Sequence, residues 1–493
     1  MQTKIKRFFS ENYILISVVF LSIILRVLYF EHVDFDEVMY VTAAKNIIAG
    51  QYDITTVPWA PTLRYFFMFL VTVLVYLLGT SHYAVSVLPF VSTLITITCV
   101  YFIGKKLVNK KVGLISALLV AIFPLNIKYA SMLEADVVIT ALMGVCFVLY
   151  LYKKEAWSFF LIGIMLGLGM FIKFFIALMG VIISLELLKK QEFKAIIIII
   201  LGALLSSSPF LLYNWSNSGD FLYHIHEDQR LVNDYNEKVI LSDSTQLTSF
   251  VPYLLNPFFK KPEQSLFNVY FILILSYFYY SIKRKEWNYG FFWLWLISGY
   301  LVLELPSIIP PVQRYLMIII IPLVILLGIW LGKIEKKTHL SLVLVILLFI
   351  SLFQLGEFTV FDNTPRTSEQ RISILLKSLP PKDVYVTHNN QVGYLTYYLD
   401  YNYNYSGLFG YQGYTNHAFY DLHFVDNLSA IRNAYVVIDY RLITDGTDIM
   451  DYYAKNNGSI AYITDPKVPE DWHGIYGLTD GHGNIVGGVW DVK

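Results

Sequence analysis

The chain has 493 residues, of which 56% are hydrophobic, 17% aromatic and only 15% charged, with 37 basic and 37 acidic side chains. Zero net charge gives no sign of a nucleic-acid partner, and repeated apolar runs of roughly 18 to 22 residues, long enough to cross about 30 Å of hydrocarbon, exclude an ordinary soluble protein. The two cysteines, Cys99 and Cys146, lie inside apolar runs, so no disulfide framework holds the polar parts together.

The first run, Tyr13 to Phe30, follows a basic opening, Met1 to Arg7, that is like a signal n-region. The run is long and no small-residue cleavage site follows, which predicts a retained signal anchor. Just beyond it stands Val33-Asp34-Phe35-Asp36-Glu37-Val38-Met39-Tyr40. A carboxylate costs several kcal/mol to bring toward hydrocarbon, so Asp36 and Glu37 at a membrane exit predict a site facing water and lipid together. The same pair also suits the start of an interfacial helix, where acidic side chains meet the positive end of the dipole.

Six Lys/Arg clusters punctuate the runs: Lys4/Lys6/Arg7, Lys105/Lys106/Lys110/Lys111, Lys153/Lys154, Lys189/Lys190/Lys194, Lys283/Arg284/Lys285 and Lys333/Lys336/Lys337. Placing all of them in the cytoplasm requires an even number of crossings between neighbours. The runs near 83–104, 112–127, 133–152, 157–172, 173–188, 194–213, 268–282, 289–305, 314–332 and 338–355 meet that condition. Thr62 to Gly79 would flip every later cluster, so it is expected in the outer interface, leaving about 11 crossings in all.

This arrangement puts Glu134 and Asp136 at the entry of the fourth spanning helix, with Lys173 interrupting the apolar stretch Gly163 to Leu185. It also puts Arg314 at the start of the tenth helix, on the same outer face as Asp36 and Glu37. Glu186, on the cytoplasmic side, is the exception. Each residue alone has a plain reading: a helix start for the acids, a snorkelling lysine, an arginine on an anionic lipid. Their shared sidedness points instead to a site that handles an anionic group beside an acid/base residue.

The stretch from Asn214 to about Phe267 is a candidate lid with a polar middle, Glu227 to Thr248. Its His224-Ile225-His226-Glu227-Asp228 offers imidazoles and carboxylates, but reads first as a solvated polar stretch. Asp36, Glu37 and Asp136 are hard oxygen donors able to join a divalent metal; no metal or other cofactor is assigned. After Gly356 the composition shifts to short β-rich runs, Asp383 to Thr387, Ala434 to Tyr440 and Ser459 to Thr464, between helical pieces near Glu369 to Leu379 and Ile443 to Ala454. The expected architecture is an α-helical polytopic membrane protein over 1–355, with external loops at 31–82 and 214–267. A soluble extracytoplasmic α/β domain is expected over 356–493.

Phe35-Asp36-Glu37-Val38-Met39-Tyr40, followed by Ala43-Ala44 and Gly50-Gln51-Tyr52, resembles the Asp-Glu-x-x-Tyr start of the first external loop in GT-C superfamily glycosyltransferases of the protein O-mannosyltransferase and lipid A aminoarabinose transferase group. Four more segments are similar to that group's motifs, in order. They are Tyr129 to Asp136, Gly167 to Lys173, Pro209 to Asn214, and Arg314-Tyr315-Leu316. The likeness covers roughly residues 10 to 335. It departs at Ala130-Ser131, where the group carries an arginine before its acid, leaving Lys128 as the nearest cation. It departs again at Pro58 to Leu63, where the group has His-Pro-Pro-Leu; Arg64 follows directly.

The resemblance implies a polyprenyl-phosphate sugar donor, a protein, lipid or polysaccharide acceptor outside the cytoplasm, and inverting transfer in a plasma membrane with the N-terminus cytoplasmic. In that reading Asp36 is the base, with Glu37, Asp136 and Glu134 beside it, while Lys173, Arg314, Arg64 and Tyr315 hold the donor phosphate. A transporter or flippase for a phosphate-bearing lipid is the alternative. It should show repeated halves or helices broken at midplane, and neither stands out in the sequence.

Overall fold

The computed structural model describes residues 2–30, 35–50, 63–230, 265–284, 289–303 and 313–355, together with six strands between 383 and 492. The chain divides into two compact units. One comprises Met1–His32, Ala43–Thr55 and Trp59–Thr359; the other comprises Val33–Thr42, Thr56–Pro58 and Val360–Lys493.

The first unit is helical. Its elements are α1 (Gln2–Leu28), the C-terminal part of α2 (Phe35–Ile48), α3 (Tyr65–Leu78), α4 (His82–Val85), α5 (Val87–Leu107), α6 (Lys110–Ala121), α7 (Pro124–Lys128), α8 (Ala135–Tyr152), α9 (Ala156–Met170), α10 (Ile176–Lys189) and α11 (Phe193–Ser218). They continue as α12 (223–230), α13 (Ser265–Arg284), α14 (Gly290–Leu303), a 3₁₀ segment (Gln313–Ile319), α15 (Ile320–Gly332) and α16 (Lys337–Leu355). Among the described residues, His82–Leu107, Ala135–Tyr152, Phe193–Ser218, Arg314–Gly332 and Lys337–Leu355 are long and apolar enough to cross a membrane. At 1.5 Å per residue α3 is about 21 Å long, short of a hydrocarbon layer of about 30 Å. The same arithmetic applies to α9 and α10, whose runs were expected to span.

Three boundaries differ from the sequence expectation. The run 112–127 is not one helix: α6 stops at Ala121 and α7 restarts with Pro124 in its first turn. Proline suits that position because its missing N–H would have no intrahelical acceptor there. Side chains gather on the carbonyls at this break, beside the Phe123 N–H that reaches Val120 O (3.2 Å). Tyr270 Oη donates to Leu119 O (3.2 Å), Asn126 Nδ2 to Val120 O (3.0 Å), Arg26 Nη1 to Ala121 O (3.4 Å) and Ser351 Oγ to Ile122 O. Arg26, on α1, is 1% exposed and donates also to Ser22 and to Asn126 O.

The second difference is at 314–332, which opens as a 3₁₀ turn before α15. The third is the loop expected to begin at Asn214: α11 continues to Ser218 and is closed by Gly219 in the left-handed region, φ 71°. Glycine takes that conformation without a Cβ clash. Close approach also decides how α9 meets α11. A Cβ on Gly163 would lie 2.1 Å from Ile199 O, and one on Gly202 2.4 Å from Phe160 O. Only bare backbones fit at that crossing.

The second unit holds the N-terminal half of α2, up to Thr42, and a six-stranded sheet in the order β3-β2-β1-β4-β6-β5. β1 (Asp383–Val386), β2 (Tyr405–Leu408), β3 (Phe424–Val425) and β4 (Ala434–Asp439) run parallel, with Val384 opposite Tyr405 and Asp383 opposite Ala434. β6 (Ile485–Val492) and β5 (Trp472–Thr479) complete one side antiparallel. Two expected strand runs coincide with β1 and β4; Ser459 to Thr464 and the two expected helical pieces lie outside the described residues.

Candidate active site

Four charged side chains of the first unit meet in a dry cluster. Asp136 stands in the first turn of α8, and Glu134 occupies the position just before that helix. Lys173 sits in the tight turn between α9 and α10, its amide bonded to Gly169 O (2.9 Å). Arg314 is the second residue of the 3₁₀ segment.

Lys173 Nζ donates to both oxygens of Asp136, at 2.7 and 2.8 Å. Arg314 Nη1 donates to Glu134 Oε1 at 2.5 Å, and Arg314 Nε lies 3.6 Å from Asp136 Oδ2. Asp136 is 0%, Glu134 1% and Lys173 6% exposed. Charges taken this far from water persist only when paired, and two acids against two cations balance here. The ring of Tyr315 lies 3.9 Å beneath Lys173 Nζ, so the ammonium gains a cation–π contact beside its carboxylate. Phe175 packs edge-on against Tyr315 at 5.6 Å. Five residues expected to share a site are therefore together: Glu134, Asp136, Lys173, Arg314 and Tyr315.

Arg64 is brought to the same turn by the backbone. It precedes α3, whose Phe66 N–H donates to Phe171 O (3.0 Å), two residues before Lys173. Asp228, on α12, is buried enough for its carboxyl to be pushed up, against the pull of the Arg64 and Lys173 charges. Sequence reasoning left Asp228 in a solvated stretch.

Beside the turn is an aromatic wall that sequence reasoning also missed. Phe171 packs on Phe210 (4.6 Å), His224 (4.6 Å) and Tyr65 (6.0 Å). Tyr65 Oη donates to Asn214 Oδ1 at 2.7 Å. Burial holds His224 down at about 4. Its neighbour His226 is exposed and bonds Asp220 Oδ2 at 2.6 Å, so the two histidines of the motif do not converge. Among the described residues no group of three His, Cys, Asp or Glu side chains comes together as a metal site. The advance signal for the wall was that Phe171, Phe210 and Asn214 lie inside two of the motif segments.

Asp36 and Glu37 belong to the other unit and stand in the first turn of α2. Asp36 is partly exposed, while Glu37 is fully buried, as are Tyr40, Ala43 and Ala44 along the same helix. Both acids stand at the helix start that the sequence suggested, with Glu37 buried there. Pro58 to Thr62 lie outside the described residues.

Residues 61–213 match the family model described as dolichyl-phosphate-mannose-protein mannosyltransferase. No curated protein matches by sequence. By fold the chain is similar to the crystal structure of ArnT from Cupriavidus metallidurans bound to undecaprenyl phosphate. The TM-score is 0.62 at 13% identity, over 97% of this chain and 98% of that one. The apo state of the same protein gives 0.64 at 12% identity, over 98% of each chain. The oligosaccharyltransferase of Archaeoglobus fulgidus in complex with Zn and sulfate gives 0.52 at 14% identity, over 96% of this chain and 72% of that one.

Proposed function

We propose that this chain, which has the fold of the GT-C superfamily and matches the mannosyltransferase model over residues 61–213, is a multi-pass membrane glycosyltransferase. It moves a sugar from a polyprenyl-phosphate donor to an acceptor outside the cytoplasm, with inversion. The observation that carries this reading is the buried cluster of Lys173, Arg314, Glu134 and Asp136, two cations beside acids at the ends of apolar helices.

In this reaction the acceptor oxygen bonds the anomeric carbon as the bond from that carbon to the phosphate oxygen breaks. The proton of the acceptor hydroxyl passes to Asp36. The polyprenyl phosphate leaves with the electron pair, and a phosphate departs without a general acid. Lys173, Arg314 and Arg64 receive the phosphate and offset the charge that grows on it. Asp136, with both oxygens already held by Lys173, is ill placed to take a proton. Its part is to aim the ammonium, as Glu134 aims Arg314 and Tyr315 supports Lys173 from below. Glu37 orients the acceptor beside Asp36.

The test is transfer of labelled sugar from a panel of polyprenyl-phosphate donors by purified protein in lipid, wild type beside Asp36→Asn. Turnover by the wild type, with a loss of about 10²- to 10⁴-fold and unchanged donor binding in the variant, is the expected result. A fully active variant would remove Asp36 as base. A wild type that binds the donors but transfers and releases no sugar would favour lipid transport instead.

A further inference from the structure

Tyr65, Asn214 and His224 form a hydrogen-bond chain in which each proton has a determined place. Asn214 Nδ2 lies 3.1 Å from the Phe221 carbonyl, which can only accept, and 3.0 Å from His224 Nδ1. The other end of that amide, Oδ1, takes the Tyr65 hydroxyl at 2.7 Å. Both amide hydrogens are thus committed, one to the carbonyl and one to the imidazole, so Nδ1 presents its lone pair. A neutral imidazole with a lone pair on Nδ1 carries its proton on Nε2. A second proton would set an N–H on Nδ1 against the amide N–H, so the chain resists the imidazolium, and burial acts in the same direction.

That Nε2 is buried and has no hydrogen-bond partner among the described residues, in a side chain 7% exposed. Leaving a buried donor unmade is costly, so the bond this N–H lacks within the described residues is open to an acceptor from outside them. The ring packs on Phe171, two residues before Lys173. One helical turn beyond His224, Asp228 lies within electrostatic reach of Arg64 and Lys173. The donor thus sits on the short helix that carries Asp228 toward those cations, against the aromatic ring that leads into the Lys173 turn.

We propose that His224 Nε2–H is a neutral hydrogen-bond donor to an oxygen of the glycosyl phosphate, and so a specificity-determining contact. This rests on the glycosyltransferase reading above. The acceptor has two sources, a phosphate oxygen or a sugar hydroxyl, and both share the required lone pair.

Two substitutions separate a ligand contact from a packing role. His224→Asn keeps a polar atom at the Nδ1 position, and with it the bond to Asn214, but has nothing at Nε2. His224→Gln places an amide N–H at the Nε2 position and gives up the bond at Nδ1. Binding of undecaprenyl phosphate and of dolichyl phosphate mannose is measured for full-length protein in nanodiscs, with thermal midpoints recorded for each variant.

The expected result is about tenfold weaker binding by the Asn variant at an unchanged midpoint. The Gln variant should bind within about threefold of wild type despite a lower midpoint. Weakening for both lipids assigns the phosphate oxygen; weakening for the mannosyl lipid alone assigns a sugar oxygen. Wild-type affinity for both lipids in the Asn variant would overturn the inference and leave the glycosyltransferase reading standing. A wild type that binds neither lipid would overturn both.

Discussion

Two buried places in the helical unit hold charge, and they hold it differently. At the end of α6, Arg26 is surrounded by backbone carbonyls and a serine hydroxyl, groups that cannot move away or change protonation. At the α8 entry, Lys173 and Arg314 face carboxylates on other elements. A cation set against the negative end of a helix dipole is permanently compensated, and serves the fold. A cation set against a carboxylate is compensated by a group that a second anion can rival. The difference in partner, rather than in burial, separates a structural charge from one available to a substrate.

The comparison is broken most directly at Asp136. Asp136→Leu leaves Lys173 buried without its carboxylate, and should lower stability by about 3–5 kcal/mol. Adding Lys173→Leu removes the orphaned charge, so the double variant should recover most of that loss in thermal unfolding yet transfer no sugar. A double variant that regains activity would make the pair a structural ion pair like any other. At Arg26 the expectation reverses. Arg26→Met strips donors from Ala121 O and Asn126 O, which should cost about 2–3 kcal/mol of stability at roughly 1 kcal/mol per lost bond. Turnover per folded molecule should stay near wild type. A variant that unfolds no earlier but loses turnover would move Arg26 into the site.

What could be read beforehand follows the same division. Glu134, Asp136, Lys173 and Arg314 were legible because each is a charge at the edge of an apolar run, and such charges are too costly to be accidental. Their pairing was not legible: Lys173 finds Asp136 across 37 residues and Arg314 finds Glu134 across 180, distances over which sequence carries no register. Arg26 was equally visible inside the run Tyr13 to Phe30, but its partners are carbonyls freed by a helix break. That break depends on caps supplied from Tyr270 and Ser351, so a continuous run over 112–127 was the natural reading. The motif around His224 misled for a related reason. It reads as a solvated polar stretch, which holds for His226, outside with Asp220, whereas α12 turns His224 into the aromatic wall.

His224 offers the finest test, because fixed dipoles should hold its protonation state as they hold the charge of Arg26. Its pKa falls from 6.5 to about 4 through burial. Between those values the unfolded chain binds a proton that the folded chain refuses, so stability rises with pH across that window. The contribution is complete above about pH 6.5 and disappears as pH falls toward 4. Asp228, whose carboxyl burial pushes up, acts in the opposite sense, and Asp220 is pulled down by His226. Asp228 persists in His224→Asn and Asp220 loses only the smallest of its influences, so the difference between variant and wild type reports chiefly the histidine. Thermal midpoints from pH 4.5 to 7.5 should show the wild type losing on the order of 1–2 kcal/mol more than the variant on acidification. Parallel curves would mean that Asn214 does not bind His224 in the neutral form, and the placement of the Nε2 proton would fall with it.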